Sequence, residues 1–220
     1  MIQTLLRWLR WLLGSPPPKP PPVALQVDCD FFAALITRIE QNDFSWFVTG
    51  VAGTGKSTFL RCLVKKSAKR IVVLAPTGLA ALSIFGQTIH SFFKLKPELL
   101  SETDVPFSPL RAHLFRAIDM LVIDEVSMVR ADLMNAVDVS MRRHRESTAP
   151  FGGCQVVLIG DLYQLPPVVP KNVARYLDET YGGPYHFNAP GVRRLQLKCH
   201  ELVSILKRRF SVVPCRLQPS

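Results

Sequence analysis

Residues 50–58 read GVAGTGKST, a G-x-x-x-x-G-K-S spacing with one further hydroxyl after it. The residue types suit the binding of a chain of phosphates. Gly50, Gly53 and Gly55 let the backbone curl so that successive N–H groups face inward, and a helix starting at Lys56 adds the positive end of its dipole. Thr54 and Thr58 complete the cradle. Lys56 brings one mobile positive charge to the outer phosphates, and the Ser57 hydroxyl offers an oxygen to a bridging magnesium ion. The plain alternative is a chance glycine turn ahead of a helix. The apolar run FSWFVT just before the loop counts against it, because this chemistry needs a strand, then the loop, then a helix.

Three further stretches carry candidate chemistry. MLVIDEVSM, residues 120–128, is an apolar run ending in Asp124 and Glu125. Asp124 suits holding Mg²⁺ through its water shell, and Glu125 suits orienting and deprotonating a water; a hydrolase needs that second acid and a kinase does not. The alternative is a pair of acids capping a following helix near Ser127. VVLIGDLYQLPPV, residues 156–168, presents Gln164 just before Pro166 and Pro167. Its amide either reports the γ-phosphate or belongs to an ordinary proline-stiffened loop. In APTGLAALSIFGQTIHSFF, residues 75–93, Thr77 and nearby backbone N–H groups suit a nucleic-acid phosphate. His90, Phe92 and Phe93 are either a stacking platform for unpaired bases or part of the core, and this stretch taken alone favours the core.

The elements that must position these residues are legible as apolar runs between turn residues. Strands are expected at 44–49, 71–75, 120–124, 156–160 and 194–198, and helices at 31–41, 56–67 and 130–144. Continuous apolar strands alternating with helices predict a mostly parallel sheet covered on both faces, an α/β fold. Ligands of such sheets sit beyond the carboxyl ends of the strands, where every motif above falls.

The chain has 220 residues and a net charge of +10, enough for one good core. The charge is uneven: residues 1–27 hold three basic and no acidic residues, residues 191–220 hold seven and one, and the stretch between is nearly neutral. Basic ends on a near-neutral body point to a polyanion partner. The five cysteines have no C-x-x-C spacing and read as reduced and structural, which predicts a cytoplasmic protein. MIQTLLRWLRWLL makes an amphipathic helix whose arginines interrupt any membrane span; it either docks on a partner or interface or packs back on the domain. SPPPKPPP then forms a stiff spacer. The expected organisation is a helix and linker over 1–27, a domain over 28–200 and a basic tail over 201–220.

In this order, GVAGTGKST, APTGLAAL with GQTIHSFF, LVIDEVSMV, FGGCQVVLIGDLYQLPPV and YGGPYHFNAP resemble the superfamily-one DNA helicases of the Pif and RecD branch, which move 5′ to 3′ on single-stranded DNA. The resemblance covers about residues 40–200. It implies a RecA-like P-loop domain in which Lys56, Ser57, Asp124, Glu125 and Gln164 surround ATP–Mg²⁺, and it turns Thr77, His90 and Phe92 toward a DNA strand. Three departures accompany it. The family's adenine-reading glutamine has no counterpart before the loop. Its aromatic-Arg-Gln triplet is replaced in ELVSILKRRFSV, where Lys207 and Arg208 stand at the last two positions. The second RecA-like domain does not follow, so a truncated or frameshifted reading frame is expected, with that domain supplied by a separate chain or not at all. The competing reading is a non-catalytic DNA- or partner-binding relic of the fold.

Overall fold

The computed structural model describes residues 29–202. The amphipathic N-terminal segment, the proline spacer and the basic tail lie outside them. Six strands form one sheet: β1 (Ser45–Thr49), β2 (Ile71–Ala75), β3 (Gln87–Thr88), β4 (Met120–Ile123), β5 (Gln155–Ile159) and β6 (Leu197–Glu201). Their spatial order is β3-β2-β4-β5-β1-β6, and every pairing is parallel.

The inner strands β1, β2, β4 and β5 are mostly apolar because both faces of the sheet are covered there. In β1, Trp46 and Val48 enter one core cluster while Phe47 enters the other. Met120 and Val122 of β4 and Val157 and Ile159 of β5 follow Trp46, whereas Leu121, Ile123, Val156 and Leu158 follow Phe47. The Trp46 face packs against α1 (Ala33–Glu40) and α2 (Lys56–Lys66), with Ala81 of α3 (Gly78–Ser83) at its margin. The Phe47 face packs against α4 (Ile89–Phe93), α5 (Pro109–Arg116), the long α6 (Ala131–Arg145) and Val192 of α8 (Pro190–Arg193). Between these last two, α7 (Lys171–Tyr181) seals a small cluster of Ala131, Val173, Leu177 and Tyr181.

The run FGGC that leads into β5 has a local reason. Phe151, Gly152 and Gly153 all take positive φ, and the Phe151 N–H donates to the buried Asp138 carboxylate at 2.6 Å. A Cβ on Gly152 would stand 2.8 Å from the Met141 carbonyl oxygen, so only glycine lets this turn lie on α6. Asp138 also accepts from Arg142 at 2.9 Å. The turn thereby fixes where β5 starts, and with it where its carboxyl end arrives.

Several expectations need correction. The sheet has a sixth strand, the two-residue edge β3, too short to leave an apolar run. The last strand is Leu197–Glu201 rather than 194–198, because residues up to Arg194 are taken by α8 and its cap. The Phe92 ring is in the core, as the stretch alone favours and against what the resemblance implies: it is 2 % exposed and packs against Phe93 and Phe115, with ring centroids 5.0 and 5.6 Å away. On the short α4, Ile89, Phe92 and Phe93 share one face by helical spacing, and that face meets the sheet. Arg111 closes over Phe92 with its guanidinium 5.8 Å from the ring centroid and donates to the Phe92 carbonyl at 2.6 Å. Nor are all the cysteines reduced, since Cys29 and Cys62 form a disulfide with Cα atoms 5.4 Å apart. No helix among the described residues is long and apolar enough to cross a membrane.

Candidate nucleotide site

The phosphate loop leaves β1 and enters α2 directly, as the residue types require. Gly55 caps α2 in the left-handed region at φ 91°, and Gly50 lets the loop pass the end of β6: a Cβ there would stand 2.7 Å from the Leu202 carbonyl oxygen. Thr54 is buried and donates to the Val51 carbonyl at 2.9 Å, which closes the loop on itself. The Lys56 ammonium reaches back to the carbonyls of Gly50 and Val51, the latter at 3.2 Å. It is already folded over the cradle. Ser57 and Thr58 occupy the first turn of α2, where free N–H groups and the helix dipole favour an anion.

Two strands away, β4 delivers the carboxylates. Asp124 is 4 % exposed, and burial above all pushes its carboxyl up to about 6; neighbouring Glu125 adds to the rise while the Glu125 N–H and the Lys56 charge oppose it. Asp124 at the end of β4 and the Ser57 hydroxyl in the first turn of α2 are hard oxygen donors of the kind Mg²⁺ takes. The residues therefore fit the metal. Glu125 takes the left-handed conformation, φ 50° and ψ 42°, which is unusual for a residue with a side chain. The turn Val126–Met128 follows at once and holds it, with Met128 N–H donating to the Glu125 carbonyl at 3.1 Å.

β5 arrives beside that turn. Gly160 is tight against it, since a Cβ there would meet Val126 Cγ1 at 3.0 Å and the Ser127 nitrogen at 3.3 Å. The next residue, Asp161, is buried and accepts from the Tyr163 N–H and from the Gln164 side-chain amide, both at 3.0 Å. Glu125, Gln164 and Thr77 line one open groove of about 580 Å³ together with Ser127 and Ala80. Thr77 is the N-cap of α3, its hydroxyl accepting from the Ala80 N–H at 3.2 Å. His90 is half-buried outside this groove, with its imidazole pKa lowered first by burial and then by the Arg130 charge.

Two contributors escaped sequence reasoning. Asp161 reads as the polar end of a strand, yet it orients Gln164. Ser127 lines the groove with its hydroxyl buried and lacking a hydrogen-bond partner. Its only signal is a small hydroxyl in an otherwise apolar stretch after two acids.

The profile of the PIF1-like helicase family matches residues 30–179. The ATP-dependent DNA helicase PIF1 of Saccharomyces cerevisiae is 40 % identical over 143 residues, covering 60 % of this chain and 16 % of that protein. The ATP-dependent DNA helicase RRM3 of the same species is 35 % identical over 173 residues, covering 72 % of this chain and 23 % of that one. The crystal structure of the Bacteroides Pif1 helicase in complex with ADP-AlF3 and ssDNA superposes with a TM-score of 0.74 at 40 % identity, over 80 % of this chain and 42 % of that one. The chain thus spans under a quarter of the length of these two curated relatives. A RecA-like parallel sheet with its phosphate loop, paired acids and glutamine in this order identifies the chain as a member of the PIF1-like helicase family.

Proposed function

We propose that this chain is the nucleotide-hydrolysing first domain of an ATP-dependent DNA helicase acting 5′ to 3′ on single-stranded DNA. The observation that carries the reading is the convergence at one end of the sheet of the cradle, the buried Asp124, the strained Glu125 and a glutamine held by Asp161. The family's solved member in complex with ADP-AlF3 and ssDNA supports it.

In this reading the loop N–H groups of residues 50–58 and the Lys56 ammonium bind the phosphates of ATP. Lys56 exchanges its bonds to the Gly50 and Val51 carbonyls for phosphate oxygens. Ser57 and Asp124 would hold Mg²⁺, which neutralises phosphate charge and orients the chain for in-line attack. Glu125 takes the proton of the attacking water, and Gln164 registers the terminal phosphate from its seat on Asp161. Thr77 and His90 remain on the side proposed for DNA; Phe92 does not. Binding to the strand is sequence-independent and electrostatic, so its affinity falls steeply with salt.

Steady-state ATP turnover with and without single-stranded DNA, with Glu125→Gln as background, tests the hydrolase. Expected for the 220-residue chain on its own is slow turnover and no strand displacement, because the resemblance assigns the transition-state arginines to a second domain, worth about 10³–10⁵ in rate. Equal ATP affinity in wild type and Lys56→Ala would overturn the site. Many-fold stimulation by DNA or clear strand displacement would show that the chain needs no second domain.

A further inference from the structure

The Cys29–Cys62 disulfide lies outside the machinery above, yet it is built into its support. Cys62 is a member of α2, the helix whose first turn forms the cradle, and Cys29 precedes the single turn Asp30–Phe32 that leads into α1. Both residues are buried, at 0 % and 6 % exposure. One residue beyond that bridged turn's centre, the Phe32 ring packs edge-on against Phe59 of α2, with centroids 5.6 Å apart. Its Cζ lies 3.3 Å from where a Cβ on Gly55 would stand. The bridge, the turn, Phe32 and the left-handed cap of the cradle are therefore one contiguous stack.

We infer that Cys29 and Cys62 form a reversible thiol–disulfide site that sets how tightly the cradle holds a nucleotide. The inference rests on the nucleotide reading of the loop. With the bridge closed, the Asp30–Phe32 turn is covalently fixed to α2 and Phe32 stays under Gly55. With it open, the turn is held to α2 without a covalent link, by contacts that include the Phe32–Phe59 packing and an exposed Lys66–Asp30 ion pair at 3.0 Å, which contributes little. A three-residue turn so held opens locally, and each opening removes the ring that supports Gly55. The cradle is then less preorganised and binds phosphates more weakly.

The exchange partner is the glutathione pool. In the closing direction a cysteine thiolate attacks glutathione disulfide and releases one glutathione thiolate, which takes up the proton lost by that cysteine. The second cysteine then displaces the other glutathione as a thiolate, which takes up the second proton. Two cysteine thiols are oxidised and one glutathione disulfide is reduced to two glutathiones. Exchange is slow because both sulfurs are buried.

The full 220-residue chain is equilibrated in glutathione buffers of graded ratio, alkylated with N-ethylmaleimide and mapped by peptide mass, and the same samples are titrated with a fluorescent ADP analogue and melted. Expected are a linked Cys29–Cys62 peptide at oxidising ratios, analogue affinity about three- to tenfold weaker on reduction, and a melting temperature lower by about 5–10 °C. Cys29→Ser and Cys62→Ala should each match reduced wild type and ignore the buffer. Independent alkylation of both cysteines under oxidising conditions overturns the bridge. A bridge that forms while analogue affinity stays constant overturns the coupling. Analogue binding in neither state, with the bridge formed, overturns the nucleotide reading on which the coupling rests.

Discussion

The Gln164 side-chain amide donates to the Asp161 carboxylate at 3.0 Å, and Asp161 is 4 % exposed. A buried acid at the end of β5 thus sets the direction of a half-buried glutamine that lines the groove beside Glu125. Asp161→Ala should lower ATP turnover by about 10- to 100-fold with nucleotide affinity little changed, as expected when an orienting partner is lost. Asp161→Asn keeps one acceptor and should recover part of the rate. Steady-state kinetics alongside calorimetry separates the two effects; equal losses in affinity and rate would mean that Asp161 only supports the fold.

Lys56→Ala should weaken ATP binding on the order of 100-fold, since it removes a charge-assisted contact from every outer phosphate. Its partners are loop carbonyls and its side chain is only half-buried, so the melting temperature should hardly move. Calorimetry and thermal melts on the same preparation check both halves.

Asp124 ties function to pH. Its folded-state pKa of about 6 lies above the ordinary 3.8, so the folded state keeps the proton longer. Stability therefore declines as pH rises from about 4 to about 6 and is level above that. Asp124→Asn should relieve this cost, up to about 3 kcal/mol at pH 7, while abolishing magnesium-dependent turnover. Melts at pH 7 and pH 4 test the sign, because the gain should nearly vanish at the lower pH.

Phe92→Ala should cost about 3–5 kcal/mol of stability, the usual penalty for emptying a closed aromatic site. Phe92→Leu should keep the fold and leave affinity for single-stranded DNA unchanged. Chemical denaturation and fluorescence anisotropy would reveal a DNA contact if the leucine variant lost affinity instead.

The strands and the ordered motifs were readable because burial on both faces writes an unbroken apolar run, and because a phosphate loop needs particular residue types at fixed spacing. Phe92 was not readable in the same way. The stretch taken alone favours the core, as the structure has it, and it was the resemblance that turned Phe92 toward DNA; the packing of Phe115 and Arg111 of α5 on the ring decides between them. The disulfide escaped for another reason: Cys29 and Cys62 are 33 residues apart and come together only when α1 and α2 pack on the same side of the sheet. Asp161 and Ser127 acquired their places from Gly160, whose lack of a side chain brings β5 against the turn after Glu125.

The left-handed backbone at Glu125 also sets local stability against the proposed chemistry. Such a conformation disfavours a glutamate relative to glycine by about 1 kcal/mol or more. A chain that retained only the shape of this domain would gain stability by drifting to glycine or asparagine at position 125. Glu125 holds this conformation in a groove it shares with an oriented glutamine, so Glu125→Gly should raise the melting temperature while removing the carboxylate proposed to take the proton of the attacking water.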